Sequence, residues 1–265
     1  FVWNLIQGGN PYFLSRPRRF GKSLFLSTLA AYFLGQKELF KGLYLEKAEE
    51  EQAEFEQRAA WEAYPVLYLD FNTGNYIESD ELGMNLNGHL CKWEKLYGVE
   101  PSEQNFALRF AGVITRACQQ TGKQVVILVD EYDKPLLQTM GVNETLNEQY
   151  RNTLKAFYSV IKTCDQYIRF AFLTGVTKFS KISIFSDLNN LRDISRADCV
   201  VVTPNSVYIF EFKLSGNGSA ENALNQIKEK HYVEKYRMDG KKIVLIGAGF
   251  DEEKRTVKEW KVELS

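Results

Sequence analysis

The chain has 265 residues, enough for one large domain or two modest ones with a sizeable buried core. Hydrophobic content of 45% beside 25% charge is that of an ordinary globular protein, and a formal charge of −1 gives no overall pull toward nucleic acid or anionic lipid, so any such binding needs a local patch. Cys91, Cys118, Cys164 and Cys199 form no C-x-x-C pair and His89 and His231 are far apart, which speaks against a disulfide framework, a zinc site or histidine catalysis.

No apolar run nears the roughly 18 residues of a membrane span, and no signal peptide is visible, so a reduced cytoplasmic setting without a membrane partner is the expectation. The chain opens on Phe1 inside what reads as a helix, so residues are expected to precede it. Tyr12–Ser15 then reads as a strand and Gly21–Phe33 as the next helix. Glu46–Glu62 is acidic and reads as a solvated helix or connector. Val66–Phe71, bounded by Pro65 and the Asn72-Thr73-Gly74 turn, is a second buried strand. Helical patterns come next around Leu82–Tyr97 and Glu103–Thr121. Val125–Val129, all Val, Ile or Leu, is the clearest central strand. A helix near Asn147–Cys164 carries an apolar stripe at Leu154, Phe157, Tyr158 and Ile161, and Ile168–Leu173 is a further strand closing on Thr174. Strands alternating with longer helices predict an α/β domain with a mainly parallel sheet.

Past Ser186 the pattern changes. Leu188–Arg196 reads as a short polar connector. Asp198–Thr203 and Ser206–Leu214 are strands joined by Pro204-Asn205, an antiparallel hairpin. Ala220–Tyr236 reads as a helix, Lys242–Gly247 as a strand, and Thr256–Glu263 alternates like an edge strand. These make a second unit of about 70 residues, near the lower limit for independent stability.

The first chemical signal is FLSRPRRFGKSLF, a strand running through a basic loop into a helix. A helix N-terminus behind an inward-turned loop attracts phosphate through unsatisfied N–H donors and the helix dipole. Gly21 would let the backbone approach phosphates, Lys22 would reach the β- and γ-phosphates, and the Ser23 hydroxyl would ligate Mg²⁺. The usual first glycine of such a loop is replaced by Arg16. Val125–Val129 delivers Asp130 and Glu131 to its C-terminal end, the edge where open α/β sheets bind ligands. Asp130 would hold Mg²⁺, and Glu131 would orient and deprotonate an attacking water. A solvated acidic pair opening the next helix is the plainer account of those two carboxylates. Thr174 and Thr177 come after the next strand, where they would either sense a γ-phosphate or cap a turn. Arg18 and Arg19 would add guanidinium contacts to phosphate or stand exposed to solvent.

FLSRPRRFGKSLFLSTLAAYF, VVILVDEYDKPL and FLTGVTKFSKISIFSDLNNL together resemble the bacterial AAA-ATPase-like family over about residues 1–190. That resemblance implies an additional-strand P-loop ATPase fold with ATP and Mg²⁺ as ligands, bound by Arg18, Arg19, Phe20, Gly21, Lys22, Ser23, Leu24, Asp130 and Thr174. The arginine-rich loop, Arg16 included, fits the family's own basic loop.

In the second unit, Glu211 and Lys213 point to one face of their strand, because strand side chains alternate. Asp198 and Glu211 would share a Mg²⁺ while Lys213 positions water or stabilises charge on a scissile phosphate; a charged, exposed hairpin face is the plainer account. RADCVVVTPNSVYIFEFKL and then AENALNQIKEKHYVEKY resemble the PD-(D/E)XK nuclease-like domain that accompanies this ATPase family, with Gln226 and Tyr232 on the helix after the hairpin. The match runs over about residues 195–263 of the unit spanning 195–265, and the long helical region that such proteins carry between the two units has no counterpart. Three readings are open: an ATPase, a metal-dependent nuclease whose partner is DNA or RNA, and a non-catalytic ATP-binding or interaction module. Association of several copies of the chain is compatible with each.

Overall fold

The structure is a computed structural model and describes residues 2–8, 11–16, 21–176, 192–193, 199–202, 205–214, 218–229, 232–233, 241–251 and 256–265. The chain divides into two compact units, Phe1–Ile194 and Ser195–Ser265.

The first unit is built on a parallel sheet of β1 (Tyr12–Ser15), β2 (Val66–Asp70), β3 (Val125–Asp130), β4 (Ile168–Gly175) and β5 (Arg192–Asp193), in the order β2-β3-β4-β1-β5. β4 therefore stands between the strand that leads into the basic loop and the strand that carries Asp130. This is the additional-strand arrangement. β3 lies one place off the centre, which β4 occupies, yet every β3 residue is buried. Its alternate side chains feed two cores. Val125, Ile127 and Val129 join one with α4 (Glu81–Tyr97), α5 (Phe106–Thr121), α6 (Lys134–Thr139) and α7 (Glu144–Thr163). Val126 and Leu128 join the other with α1 (Val2–Ile6), α2 (Lys22–Phe33) and α3 (Tyr44–Phe55). A strand covered on both faces has no polar side to show, hence its unbroken apolar run.

The helices begin and end where their caps dictate. The Asn105 side chain accepts from Leu108 N to start α5, and Gly122 closes that helix at φ 67°. Asn143 caps α7 in the same way through Leu146 N, so that helix begins at Glu144, ahead of the expected Asn147. Phe110 of α5 and Phe157 of α7 stack with ring centroids 4.4 Å apart.

Two sequence expectations need correction. Glu46–Glu62 is not simply a solvated stretch: α3 ends at Phe55, and Glu49 is buried, its carboxylate accepting from Tyr32 Oη at 2.6 Å, Arg58 Nη1 at 2.7 Å and Trp61 N at 3.1 Å. A charge run reads as surface only until an aromatic neighbour covers part of it. The junction is not merely a connector either, because Arg192 and Asp193 pair in parallel with Tyr12 and Phe13 as β5. Among the described residues, no helix is long and apolar enough to cross a membrane.

The second unit is a sheet in the order β6-β7-β8-β9, made of β6 (Cys199–Val202), β7 (Ser206–Leu214), β8 (Lys242–Asp251) and β9 (Thr256–Leu264). β6 and β7 form the expected hairpin, β7 and β8 run parallel, and β9 is an antiparallel edge strand. α8 (Ala220–Glu229) lies in the β7–β8 crossover; Tyr232 and Val233 lie in a turn, and the expected helix end at Tyr236 lies outside the described residues. Ala223, Leu224 and Ile227 are buried, and Leu224 and Ile227 pack with Val207, Ile209, Ile243 and Leu245. Gly247 permits the close approach: a Cβ there would come within 2.2 Å of Ala220 O.

Candidate nucleotide and metal sites

β1, β3 and β4 all end at one edge of the first sheet, and the site is assembled from the residues just beyond their C-terminal ends. Gly21 caps α2 at φ 73°, a left-handed conformation that a side chain disfavours, and no side chain caps this helix end through it. Phe25 N donates to Gly21 O at 2.9 Å, which starts the helix immediately behind the loop. Lys22 is buried; its Nζ donates to Arg16 O at 2.9 Å and sits 2.9 Å from Glu131 Oε1. The residue in place of the usual first glycine thus anchors the lysine through its main-chain carbonyl, a contact open to any residue type.

Asp130 is buried at the end of β3 and is the hub of the site. Ser23 Oγ donates to its Oδ2 at 2.5 Å, Thr174 Oγ1 donates to its Oδ1 at 2.6 Å, and Asn72 Nδ2 donates to Oδ2 at 3.0 Å. Burial, then the charges of Asp130 and Asp70, push the Tyr68 hydroxyl well above its ordinary range. Glu131 turns away from the strand at φ 54°, a left-handed conformation unusual outside glycine. Its N–H reaches Thr174 Oγ1 at 3.3 Å, Tyr132 N donates to Thr174 O at 2.9 Å, and the buried Asp133 carboxylate accepts from Val176 N at 3.0 Å. Tyr132 packs edge-on against Phe13. The turn carrying Glu131 is therefore tied at three successive residues to β4 and the residue just after it.

Sequence reasoning missed two residues here. Asn72 reads in the sequence only as part of a turn, although its place just after β2, the strand beside β3, is a usable signal. Asp133 carries no signature of its own, since its partner is the main-chain N–H of Val176, just past the end of β4. Leu24 is strongly exposed, so only its backbone would face a ligand at the helix start. Arg18, Arg19, Phe20 and Thr177 lie outside the described residues.

The donor set suits a small, hard cation. A serine hydroxyl and a carboxylate in contact are oxygen ligands of the kind Mg²⁺ uses together with water and phosphate. No group of three or more His, Cys, Asp or Glu gathers among the described residues, so a cation requiring a full protein cage finds none there. A groove of about 390 Å³ lined by Leu82, Met84, Phe106 and Tyr150 shares no residue with this constellation.

In the second unit, Glu211 is buried on β7, and Gln226 of α8 bridges it to Lys213: Gln226 Nε2 donates to Glu211 Oε1, and Lys213 Nζ donates to Gln226 Oε1. Glu211 and Lys213 share a strand face as their spacing requires, and α8 supplies the residue between them. Asp198 lies outside the described residues.

Residues 1–185 match the family model described as a predicted AAA-ATPase, and residues 183–260 match that of the PD-(D/E)XK nuclease superfamily. The chain is 43% identical over 196 residues to a protein of Azotobacter chroococcum described as "Uncharacterized protein in vnfD 5'region". That alignment covers 74% of the present chain and 36% of the relative, so the chain spans little more than a third of the relative's length. No solved structure matches.

Proposed function

We propose that this chain, which belongs to the predicted AAA-ATPase family, binds ATP with Mg²⁺ and hydrolyses it at the C-terminal edge of its parallel sheet. The observation that carries the reading is the convergence on Asp130 of Ser23 from the loop and Thr174 from the intervening strand. The start of α2, with Gly21 behind it, offers N–H donors and a favourable dipole to the phosphates. Lys22 exchanges Glu131 for phosphate oxygens. Ser23 and Asp130 hold the Mg²⁺, which when bound offsets charge on the phosphates. Glu131, freed from Lys22 and held by its strained turn, accepts the proton of the attacking water. Arg18, Arg19 and the backbone of Phe20 and Leu24 complete the phosphate cradle.

Thermal unfolding of the purified chain with and without ATP and Mg²⁺ tests this. ATP with Mg²⁺ raises the melting temperature of the parent, and Lys22→Ala abolishes the rise; an unchanged rise in the variant overturns the reading.

A second reading concerns the second unit, and the Glu211–Gln226–Lys213 chain favours it. Here Glu211 with Asp198 holds a divalent cation, and Lys213 faces the scissile phosphate of DNA or RNA. Mg²⁺- or Mn²⁺-dependent cleavage that disappears in both Asp198→Ala and Glu211→Ala supports it, whereas cleavage surviving in those variants refutes it.

A further inference from the structure

The outer edge of the second sheet combines a hydrogen-bonding row without a strand partner among the described residues, an apolar face and an alternating charge pattern. Trp260, Val262 and Leu264 are 68%, 55% and 61% exposed, large fractions for such side chains on a regular strand. They stand across from Ala248, Ile246 and Val244 of β8. The intervening Glu259, Lys261 and Glu263 lie on the α8 side, where Glu259 accepts from Ala220 N, Lys261 pairs with Glu221 and Glu263 pairs with Lys228.

The backbone sets which groups remain open. Ser265 N donates inward to Ile243 O. Because successive residues of a strand aim their N–H and C=O groups to opposite edges, Glu263, Lys261 and Glu259 also face β8. Trp260, Val262 and Leu264 thus turn both backbone groups outward, and β8 is the one strand paired with β9 among the described residues. An edge of this kind, with no proline along it, is a template for another strand.

We propose that β9 is a self-association edge, at which two copies of this chain pair antiparallel about a two-fold axis through Val262. In that register Val262 exchanges both backbone hydrogen bonds with its counterpart, Trp260 lies opposite Leu264, and Lys261 lies opposite Glu263. Every directly opposed pair from Trp260 to Leu264 is apolar with apolar or basic with acidic. Moving the axis to Lys261 sets lysine against lysine and Glu259 against Glu263. Moving it to Trp260 carries the pairing back toward Thr256, through the irregularity where the β8 register shifts between Gly249 and Phe250. Charge complementarity excludes the axis at Lys261 and strand regularity excludes the one at Trp260, which leaves Val262.

Sedimentation of the 265-residue chain over a concentration series, with two charge reversals, tests the proposal. Lys261→Glu alone opposes glutamate to glutamate twice across the axis, and Glu263→Lys alone opposes lysine to lysine twice. Each variant is expected to weaken the dimer by about tenfold or more. Mixing the two restores dimers, because Glu at 261 of one copy then meets Lys at 263 of the other. Each reversal also disturbs a half-exposed ion pair to α8, but that disturbance is the same before and after mixing. Val262→Pro removes an outward N–H that β8 does not use, so it blocks dimerisation while the thermal unfolding of the chain stays near that of the parent. A parent chain that stays monomeric throughout, dimers indifferent to both reversals, or a mixture no tighter than its components overturns the proposal.

Discussion

Lys22 Nζ sits 2.9 Å from Glu131 Oε1, so the cation of the loop and the carboxylate just beyond β3 neutralise each other across the site. Both side chains are largely buried, which makes their pairing stronger than a surface ion pair; under the proposed ATP binding, phosphate would compete with Glu131 for the lysine. Glu131→Gln removes that competitor and the proton acceptor together. The expected result is nucleotide affinity higher by about tenfold with phosphate release lower by at least about a hundredfold, read by titration of labelled ATP and by a turnover assay.

Thr174 ties Asp130 to Glu131 through one hydroxyl, which donates to the first and accepts from the N–H of the second. Thr174→Val keeps the shape and deletes both contacts. We expect a loss of stability of about 1–2 kcal/mol, from a buried carboxylate oxygen left without its donor. Turnover is expected to fall further than nucleotide affinity, as denaturant titration and steady-state kinetics will show.

Gly175 admits the Tyr132 ring. A Cβ at that position would stand 2.4 Å from the ring and 2.8 Å from Asp133 Oδ1. Gly175→Ala forces the Glu131–Asp133 turn to move, at a cost of about 1–3 kcal/mol. The expected signature is lower kcat at nearly unchanged ATP binding, since Gly21, Lys22 and Ser23 stand on another element.

Glu49 gives a pH-dependent prediction. Burial by itself would raise its carboxyl, but the hydrogen bonds from Arg58, Tyr32 and Trp61 N outweigh it and hold it below its ordinary value of 4.5. A depressed folded-state value means the stabilisation is fully present above pH 4.5 and is lost as pH falls through the depressed value. Glu49→Gln is therefore expected to cost about 2 kcal/mol at neutral pH, and the gap to the parent closes below the ordinary carboxylate range in urea unfolding tracked against pH.

The sequence by itself determined what depends on neighbours along the chain. Apolar runs marked β1 to β4, helical periodicity marked α4, α5 and α7, and the glycine before Lys22 with the acidic pair after β3 marked the centre of the site. Same-face placement of Glu211 and Lys213 came from strand geometry alone. Tertiary structure decided what depends on which strands become neighbours. It inserted β4 between β1 and β3, so that Thr174 meets Asp130. It brought Asn72 onto the same carboxylate from the other side, made a strand of Arg192 and Asp193, and buried Glu49 beneath Tyr32. It also set which β9 residues turn their backbone groups outward. The reason is the same in each case: periodicity is written in residues a few positions apart, whereas Ser23 and Asp130 are 107 positions apart, and only the assembled sheet brings them within a hydrogen bond.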